Sequence, residues 1–112
     1  MSRERYLFLC HGGEKRSKTA VSVARELVRA RGLDVDLEPG SSDSITPNNQ
    51  EYMARNLSAY DRIFVMEEDI AKKLQSLGIF PQKIYCLNIP DNYEKGSEEL
   101  RAILKERLGA LI

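Results

Sequence analysis

The sequence YLFLCHGGEKRSKTAVSVARELVRAR, residues 6–31, predicts how the fold begins. Its first five residues form an uninterrupted apolar run, which has the length of a buried strand. After a polar segment, apolar residues recur at helical spacing and form one stripe, made of Ala20, Val23, Ala24, Leu27 and Val28. Gly32 follows, a residue type that commonly ends helices. This stretch therefore predicts a strand at Tyr6–Cys10, a short loop, and a helix over Ser17–Arg31.

The rest of the chain continues this alternation of short apolar runs and helical stripes. Three further strands are predicted, at Val35–Leu37, Ile63–Met66 and Ile84–Leu87. Three further helices are predicted. The first spans Asn48–Tyr60, and the second carries the apolar stripe of Ile70, Leu74 and Leu77 and ends at Gly78. The third carries the stripe of Leu100, Ile103, Leu104, Leu108 and Leu111. Glu38–Asn49 is rich in turn-forming residues and predicts a surface loop. The order βαβαβαβα predicts one α/β domain, residues 1–112, with a parallel sheet covered by helices on both faces.

Composition and charge exclude several classes of protein. Hydrophobic residues make up 42% and charged residues 30% of 112 residues, an ordinary globular mixture for one domain. Lys+Arg and Asp+Glu both number 17, so no broad basic surface for nucleic acid or acidic membranes is expected. The longest apolar run is far below the roughly 20 residues of a membrane-spanning helix, so we expect a cytoplasmic protein. One histidine and two widely separated cysteines predict neither a zinc site nor a disulfide framework, and no cofactor is expected.

The loop after the first strand carries the chemistry. In parallel α/β sheets, ligands bind at the carboxyl ends of the strands. Cys10 and Arg16 are separated by five residues there, and Ser17 follows. Five residues can form a cradle of backbone N–H groups for an anion, in front of a helix N-terminus, and Gly12 and Gly13 permit positive φ angles. Arg16 supplies a planar fork for two phosphate oxygens, and the positive field favours a Cys10 thiolate nucleophile.

A simpler interpretation of Cys10 is a small buried residue at a strand end, and the spacing taken alone does not exclude it. No G-x-x-x-x-G-K-[ST] phosphate loop is present. The placement of the motif between a strand and a helix favours the catalytic interpretation. Asp91, just after the fourth strand, falls at the same edge of the sheet and could donate a proton to a leaving oxygen. Read in isolation, Pro-Asp-Asn at this point is simply a turn.

Taken together, these motifs resemble the low-molecular-weight protein tyrosine phosphatase family, as a short member. The shared marks occur in the family's order and span nearly the whole chain: C-x5-R-S at residues 10–17, YDRIFVM at residues 60–66, and P-D-x-Y at residues 90–93. The resemblance implies a four-stranded parallel sheet of order 2-1-3-4. It also implies roles for individual residues: Cys10 as nucleophile, Arg16 as phosphate clamp, Asp91 as general acid, Ser17 as hydroxyl donor to the Cys10 thiolate, Tyr93 as pocket wall, and His11, Gly12, Gly13, Glu14 and Lys15 as the rest of the substrate-binding loop.

Several positions depart from the family pattern. Gly13 stands where the family usually has an Asn. Glu38 stands where the family usually has a Ser after strand two, which is bonded to that Asn. Glu14 and Lys15 replace an apolar residue and, in many members, a second cysteine. Glu94 replaces an aromatic residue that often follows the turn tyrosine. These differences bear on the choice of substrate more than on the chemistry.

Three other groups have simpler interpretations beside functional ones. His11 could tune the thiolate or bind substrate, or be an exposed loop residue. Cys86 is expected in the middle of strand four, as a core residue. The run Glu67–Asp69 is expected to favour the N-terminus of the third helix through its dipole, and a metal role for it is weak.

The sequence therefore predicts a cysteine-dependent phosphomonoesterase that works without metal through a phosphocysteine intermediate. The expected substrates are a phosphotyrosine protein or a small aryl phosphate. Arsenate reductase uses the same scaffold and stays a competing hypothesis, although it needs further cysteines near the pocket. A phosphocarrier domain and a non-catalytic phosphate-binding module are two more hypotheses, and the pairing of Arg16 with Asp91 argues against both.

Overall fold

The computed structural model describes residues 3–12 and 15–112, and it contains a four-stranded parallel sheet of order β2-β1-β3-β4. The predicted fold class and the strand order implied by the resemblance are confirmed. The strands and helices alternate along the chain as β1 Glu4–Cys10, α1 Lys15–Ala30, β2 Val35–Ser41, α2 Gln50–Leu57, β3 Arg62–Val65, α3 Glu68–Ser76, β4 Ile84–Cys86 and α4 Glu98–Gly109. Single turns of 3₁₀ helix lie at Ser42–Ser44 and Pro81–Lys83.

Strand β1 lies at the centre of the sheet and separates two hydrophobic cores. It pairs with β2 on one side and with β3 on the other. Its alternate residues point to opposite faces, so Phe8 and Cys10 join the core under α1 and α4, whereas Leu7 and Leu9 join the core under α2 and α3. We call these the α1–α4 face and the α2–α3 face. Burial on both faces explains why this strand is an unbroken apolar run.

Strand β2 is longer than the sequence predicts. The predicted strand ends at Leu37, but β2 continues through Pro39 and Gly40 to Ser41, which lies opposite Cys10. Proline lacks an N–H group, and an edge strand tolerates it because one side of the strand has no partner. The turn-forming residues of the predicted loop are therefore partly strand, and the end of β2 reaches the same edge of the sheet as Cys10.

The predicted helix ends at Gly32 and Gly78 are confirmed, and both glycines have the positive φ that such an end requires, 66° and 89°. Beyond each glycine, a backbone N–H reaches back into the last helical turn, from Leu33 to Val28 at 2.9 Å and from Ile79 to Leu74 at 3.2 Å. Helix α4, by contrast, is shorter than its predicted stripe, because it ends at Gly109 and leaves Leu111 outside. None of the helices described in residues 3–12 and 15–112 has the length and apolarity that crossing a membrane would take.

Candidate active site

Cys10 and Arg16 stand on either side of the loop that joins β1 to α1. Cys10 is the last residue of β1, and its free thiol belongs to the buried core of the α1–α4 face. Arg16 lies in the first turn of α1 and is only 1% exposed. Two of the predicted loop residues, Gly13 and Glu14, lie outside the described residues. The structure thus places the predicted nucleophile and the predicted clamp at the carboxyl edge of the central strand.

The Arg16 guanidinium is held by acceptors that follow the two neighbouring strands. Its Nη1 donates to Glu67 Oε1 at 2.5 Å and to the backbone carbonyl of Ile89 at 2.6 Å. Glu67 comes just after β3 and Ile89 just after β4, so three strand ends meet at this side chain. The sequence pattern predicts only a helix-dipole role for Glu67. Its position after β3, at the carboxyl edge, is the signal that could have marked it as a partner of Arg16.

Asp91 lies beside Arg16, and Lys15 holds it there. Lys15 Nζ is 2.7 Å from Asp91 Oδ1, and Arg16 Nε is 3.7 Å from the same oxygen. The hydrogen bond from Lys15 lowers the pKa of Asp91; burial opposes this shift, and the charge of Arg16 reinforces it. The carboxyl group is more than half exposed, so it is open to solvent and to a bound substrate.

Serine contacts at the loop differ from those that the resemblance implies. The Ser17 hydroxyl donates to the carbonyl of Gly40 at 3.1 Å, in place of the expected donation to Cys10. Ser41 is the last residue of β2 and lies beside the loop, and its hydroxyl donates to the His11 carbonyl at 2.5 Å. The expectation that Glu38 occupies this place is therefore wrong, because β2 continues beyond Glu38. The loop is anchored to β2 through a backbone carbonyl, for which any residue type at position 11 would serve.

His11 is surrounded by carboxylates at the rim of the site. Its Nε2 is 3.0 Å from Asp69 Oδ2 and 3.8 Å from Glu67 Oε2, and its Nδ1 is 3.6 Å from Asp43 Oδ1. The His11 side chain is partly exposed and lies among carboxylates, so neither a role beside the thiolate nor a plain exposed loop position describes it fully. Asp43 and Asp69 lie far from His11 in the sequence, and no local pattern joins the three residues.

Gly12 and Tyr93 are two other predicted pocket residues, and their surroundings point less directly to a role. Gly12 is exposed and does not have a positive φ, and no atom of residues 3–12 and 15–112 would crowd a Cβ there, so the described part of the chain does not require glycine at this position. Tyr93 is half-buried and packs against the core of the α1–α4 face. The loop that carries it is tied to α1, because the Gly96 N–H donates to Thr19 Oγ1 at 3.1 Å.

Cys86 is the last residue of β4, whereas the sequence predicts it in the middle of the strand. It is half-buried and packs against the α2–α3 face, and its thiol lies 3.3 Å from Asn88 Oδ1. Burial raises the pKa of this thiol. Cys10 and Cys86 therefore lie in cores on opposite faces of the sheet.

Comparison with solved structures shows the same fold, at low sequence identity. A mutant of YwlE from Bacillus subtilis is 18% identical, with 96% of this chain and 95% of that chain covered and a TM-score of 0.70. A YwlE with a phosphorylated active-site serine, named an arginine phosphatase, is 17% identical over 96% and 92% of the two chains, with a TM-score of 0.71. SP-PTP, a low-molecular-weight protein tyrosine phosphatase from Streptococcus pyogenes, is 18% identical over 96% and 90%, with a TM-score of 0.69. No protein-family model and no curated protein matches the chain by sequence. The fold is that of low-molecular-weight protein tyrosine phosphatases.

Proposed function

We propose that this protein is a cysteine-dependent phosphomonoesterase that acts on phosphotyrosine in proteins or on small aryl phosphates. One observation carries the proposal: a buried arginine lies in the first turn of the helix that follows Cys10, and a carboxyl group lies 3.7 Å from its guanidinium. A nucleophile, an oxyanion clamp and a proton donor are the three groups that transfer of a phosphoryl group to sulfur requires. The shared fold with phosphatases supports the same assignment.

The reaction has two steps. In the first, the Cys10 thiolate attacks phosphorus, an S–P bond forms, and the bond from phosphorus to the leaving oxygen breaks. Asp91 gives its proton to that oxygen, while Arg16 stabilises the equatorial oxygens of the transferring group. In the second, water attacks phosphorus, Asp91 takes a proton from it, and the S–P bond breaks to release phosphate and the thiolate.

Asp91 must be protonated for the first step, and Lys15 works against this in the resting protein. A bound phosphoryl dianion competes for the Lys15 ammonium group. Its negative charge also favours the neutral form of a neighbouring carboxyl group. Substrate binding therefore prepares Asp91 for proton donation, and Lys15 joins the phosphate-binding residues in the complex.

Phosphoarginine is a second candidate substrate. The carboxylates of Asp43, Glu67 and Asp69 surround His11 at the rim and suit a substrate with a cationic guanidinium group next to phosphorus. The likeness to a protein named an arginine phosphatase supports testing this substrate. Hydrolysis of matched peptides that carry phosphotyrosine or phosphoarginine distinguishes the two candidates. A higher kcat/KM on the phosphotyrosine peptide supports the first candidate, and the reverse order supports the second.

Arsenate reduction through a relay of disulfides is less well supported. Cys10 lies on β1 and Cys86 on β4, with β3 between them, which puts the two strands roughly 10 Å apart. A disulfide requires Cα atoms about 4.4–6.8 Å apart, and these two thiols lie on opposite faces of the sheet. A phosphocarrier or a passive binding module would not require the buried Arg16 beside Asp91.

Turnover of an aryl phosphate in the presence of EDTA, with an acid quench to trap the phosphoenzyme, tests the proposal. We expect phosphate release and a labelled phosphocysteine in the wild-type protein. Both should be absent in Cys10→Ser, because a serine hydroxyl is a far weaker nucleophile than a thiolate. Cys86→Ser is the matched control and should keep both signals. An inactive wild-type protein without a trapped intermediate would leave only the binding module.

Asp91→Asn tests the proton donor. The amide keeps the shape of the side chain but cannot donate a catalytic proton, so the burst phase on phenyl phosphate should slow by about 10²–10⁴-fold. The burst on nitrophenyl phosphate should slow much less, because nitrophenolate leaves without a proton. Equal losses on the two esters would show that Asp91 is structural, and Asp43 would then be the next acid to examine.

A further inference from the structure

We propose that His11 Nε2, Glu67 Oε2 and Asp69 Oδ2 form a binding site for a divalent cation of the zinc class at the rim of the candidate active site. The three ligand atoms lie within 4.8 Å of one another. The site goes beyond the proposed phosphatase activity and does not depend on it. No local sequence pattern predicts such a site, because its ligands come from the loop after β1 and from the start of α3.

The distances between the ligand atoms fit a single small cation. His11 Nε2 is 3.0 Å from Asp69 Oδ2 and 3.8 Å from Glu67 Oε2. Around zinc, with bonds of about 2.0–2.2 Å, two ligand atoms lie roughly 3–4.3 Å apart, depending on the angle between the bonds. Both distances from His11 lie within this range. The two carboxylate oxygens lie within 4.8 Å of each other, and where they exceed the range the partly exposed side chains of Glu67 and Asp69 can move closer together.

The surroundings of the other ring nitrogen of His11 also favour metal binding. Histidines that bind metals usually present their other ring nitrogen to a carboxylate, which fixes the tautomer and the ring orientation. Here Nδ1 of His11 faces Asp43 Oδ1 at 3.6 Å. The backbone N–H of Asp43 in turn donates to the His11 carbonyl at 3.2 Å and to the Ser41 hydroxyl at 3.1 Å. Asp43 is thus fixed beside the imidazole and leaves Nε2 available for a cation.

Glu67 divides its two oxygens between the clamp and the proposed site. Oε1 accepts the hydrogen bond from Arg16 at 2.5 Å, and Oε2 faces His11. A cation on Oε2 would therefore share this carboxylate with Arg16. Asp43, Glu67 and Asp69 bring three carboxylates to His11, and Arg16 offsets the charge of one of them, so two negative charges remain for a divalent ion. Water would fill the open positions of the site.

The ligand set favours zinc over magnesium or calcium. An imidazole nitrogen suits zinc, cobalt and nickel, whereas Mg²⁺ and Ca²⁺ prefer oxygen ligands and more of them than this site offers. We therefore expect selectivity among divalent ions. An exposed group of carboxylates that merely attracts positive charge would not show this selectivity.

Calorimetric titration of the metal-free protein with Zn²⁺ tests the site without any assay of turnover. We expect one equivalent of Zn²⁺ to bind and an excess of Mg²⁺ to leave its affinity unchanged. Both His11→Ala and Asp69→Asn should weaken binding by about 100-fold or more, since the loss of even an outer-shell partner lowers metal affinity by about 10–100-fold. Asp43→Asn should lose about 10–100-fold. Glu51→Gln changes an exposed carboxylate on α2 that is not among the proposed ligands; it is the control and should bind as the wild type does.

Cys10 lies next to His11, so its thiol must be excluded as the real ligand. Cys10→Ser should bind Zn²⁺ unchanged, and the Co²⁺ complex of the wild-type protein should lack a thiolate charge-transfer band. Binding that is lost in Cys10→Ser, that persists in both His11→Ala and Asp69→Asn, or that Mg²⁺ reverses would overturn the proposal. A protein that binds zinc but hydrolyses no phosphate ester would contradict only the proposed function.

Discussion

Arg16 has its guanidinium almost completely removed from water, and a buried charge of this kind is costly unless other groups neutralise it. Glu67, the Ile89 carbonyl and Asp91 supply that neutralisation from two other strand ends. The same contacts fix the plane of the guanidinium before any ligand arrives. In the proposed mechanism Arg16 clamps the phosphoryl group, and a side chain held in this way loses little freedom when it does so, which is the condition for stabilising a transition state.

Arg16→Lys should lower kcat by about 10²–10³-fold, the usual loss when one donor to a developing oxyanion is removed. Lysine keeps the charge, but it is a single point donor and cannot contact two oxygens in one plane. Steady-state kinetics on an aryl phosphate measure the effect. A variant that changed KM alone would show that Arg16 binds the substrate without stabilising the transition state.

Lys15→Met should shift the pH dependence of kcat/KM. Lys15 lowers the pKa of Asp91, and the proposed mechanism uses the protonated acid, so activity falls as the pH rises through that pKa. Removing the ammonium group raises the pKa towards its ordinary value, and the alkaline limb of the profile should move to higher pH. Lys18→Met, on the exposed side of α1, is the control and should leave the limb in place. An unchanged limb in Lys15→Met would contradict the role of Asp91.

The sequence predicts roles for Cys10, Arg16 and Asp91 because each belongs to a short local motif after a predicted strand. It predicts neither the contact of Glu67 with Arg16 nor that of Ser41 with the His11 carbonyl. Those contacts depend on which strand ends meet at one edge, and on where β2 stops. Local patterns locate reactive groups, whereas the side chains that orient them come from distant segments that only the folded sheet brings together.

Among the strands and helices, β2 and α4 show two ways in which prediction fails. Strand β2 contains proline and glycine, residue types that usually break strands, and its seven pairs with β1 outweigh their propensities. Helix α4 is predicted from its apolar stripe, but the start of the helix is fixed by Ser97, whose hydroxyl accepts the N–H of Leu100 at 3.2 Å. Capping decides the boundary of this helix, and its apolar residues decide which face is buried.

Ser97→Ala should destabilise the protein by about 1 kcal/mol, because the N–H groups at the start of α4 lose their acceptor. Ser97→Asp keeps a capping oxygen and should retain most of the stability. Urea denaturation of the two variants measures the difference. Equal stability of the alanine and aspartate variants would show that solvent satisfies this helix end as well as Ser97 does.

Across the molecule as a whole, the sheet is held together by a row of aromatic rings on the α1–α4 face. Phe64 stacks on Phe8, with ring centroids 4.9 Å apart, and on Tyr85, with centroids 5.3 Å apart. Tyr6 and Phe64 form an edge-to-face pair with centroids 5.7 Å apart. These rings come from β1, β3 and β4, so one side chain on β3 joins three of the four strands. Offset stacked and edge-on pairs add about 0.5–1.5 kcal/mol each beyond the burial of their area.

Phe64→Ala should destabilise the protein by about 3–5 kcal/mol, the usual cost of removing a buried phenyl ring from a core. Phe80→Ala is the matched control: that ring is 68% exposed, and its removal should change stability by less than about 0.5 kcal/mol. Chemical denaturation of both variants measures the free energies of unfolding. Similar losses at the two positions would show that the aromatic row does not hold the strands together.

The packing of α4 on α1 has a consequence for how the chain is made. The α1–α4 face buries Leu100, Leu104 and Leu108 against residues that are translated about 80 positions earlier. While a ribosome is still synthesising residues 98–109, β1 and α1 have already emerged, but the α4 leucines that pack against this core do not yet exist. The nascent chain therefore exposes the apolar surface around Cys10 until translation of α4 is complete, and it has to be kept from aggregating during that interval.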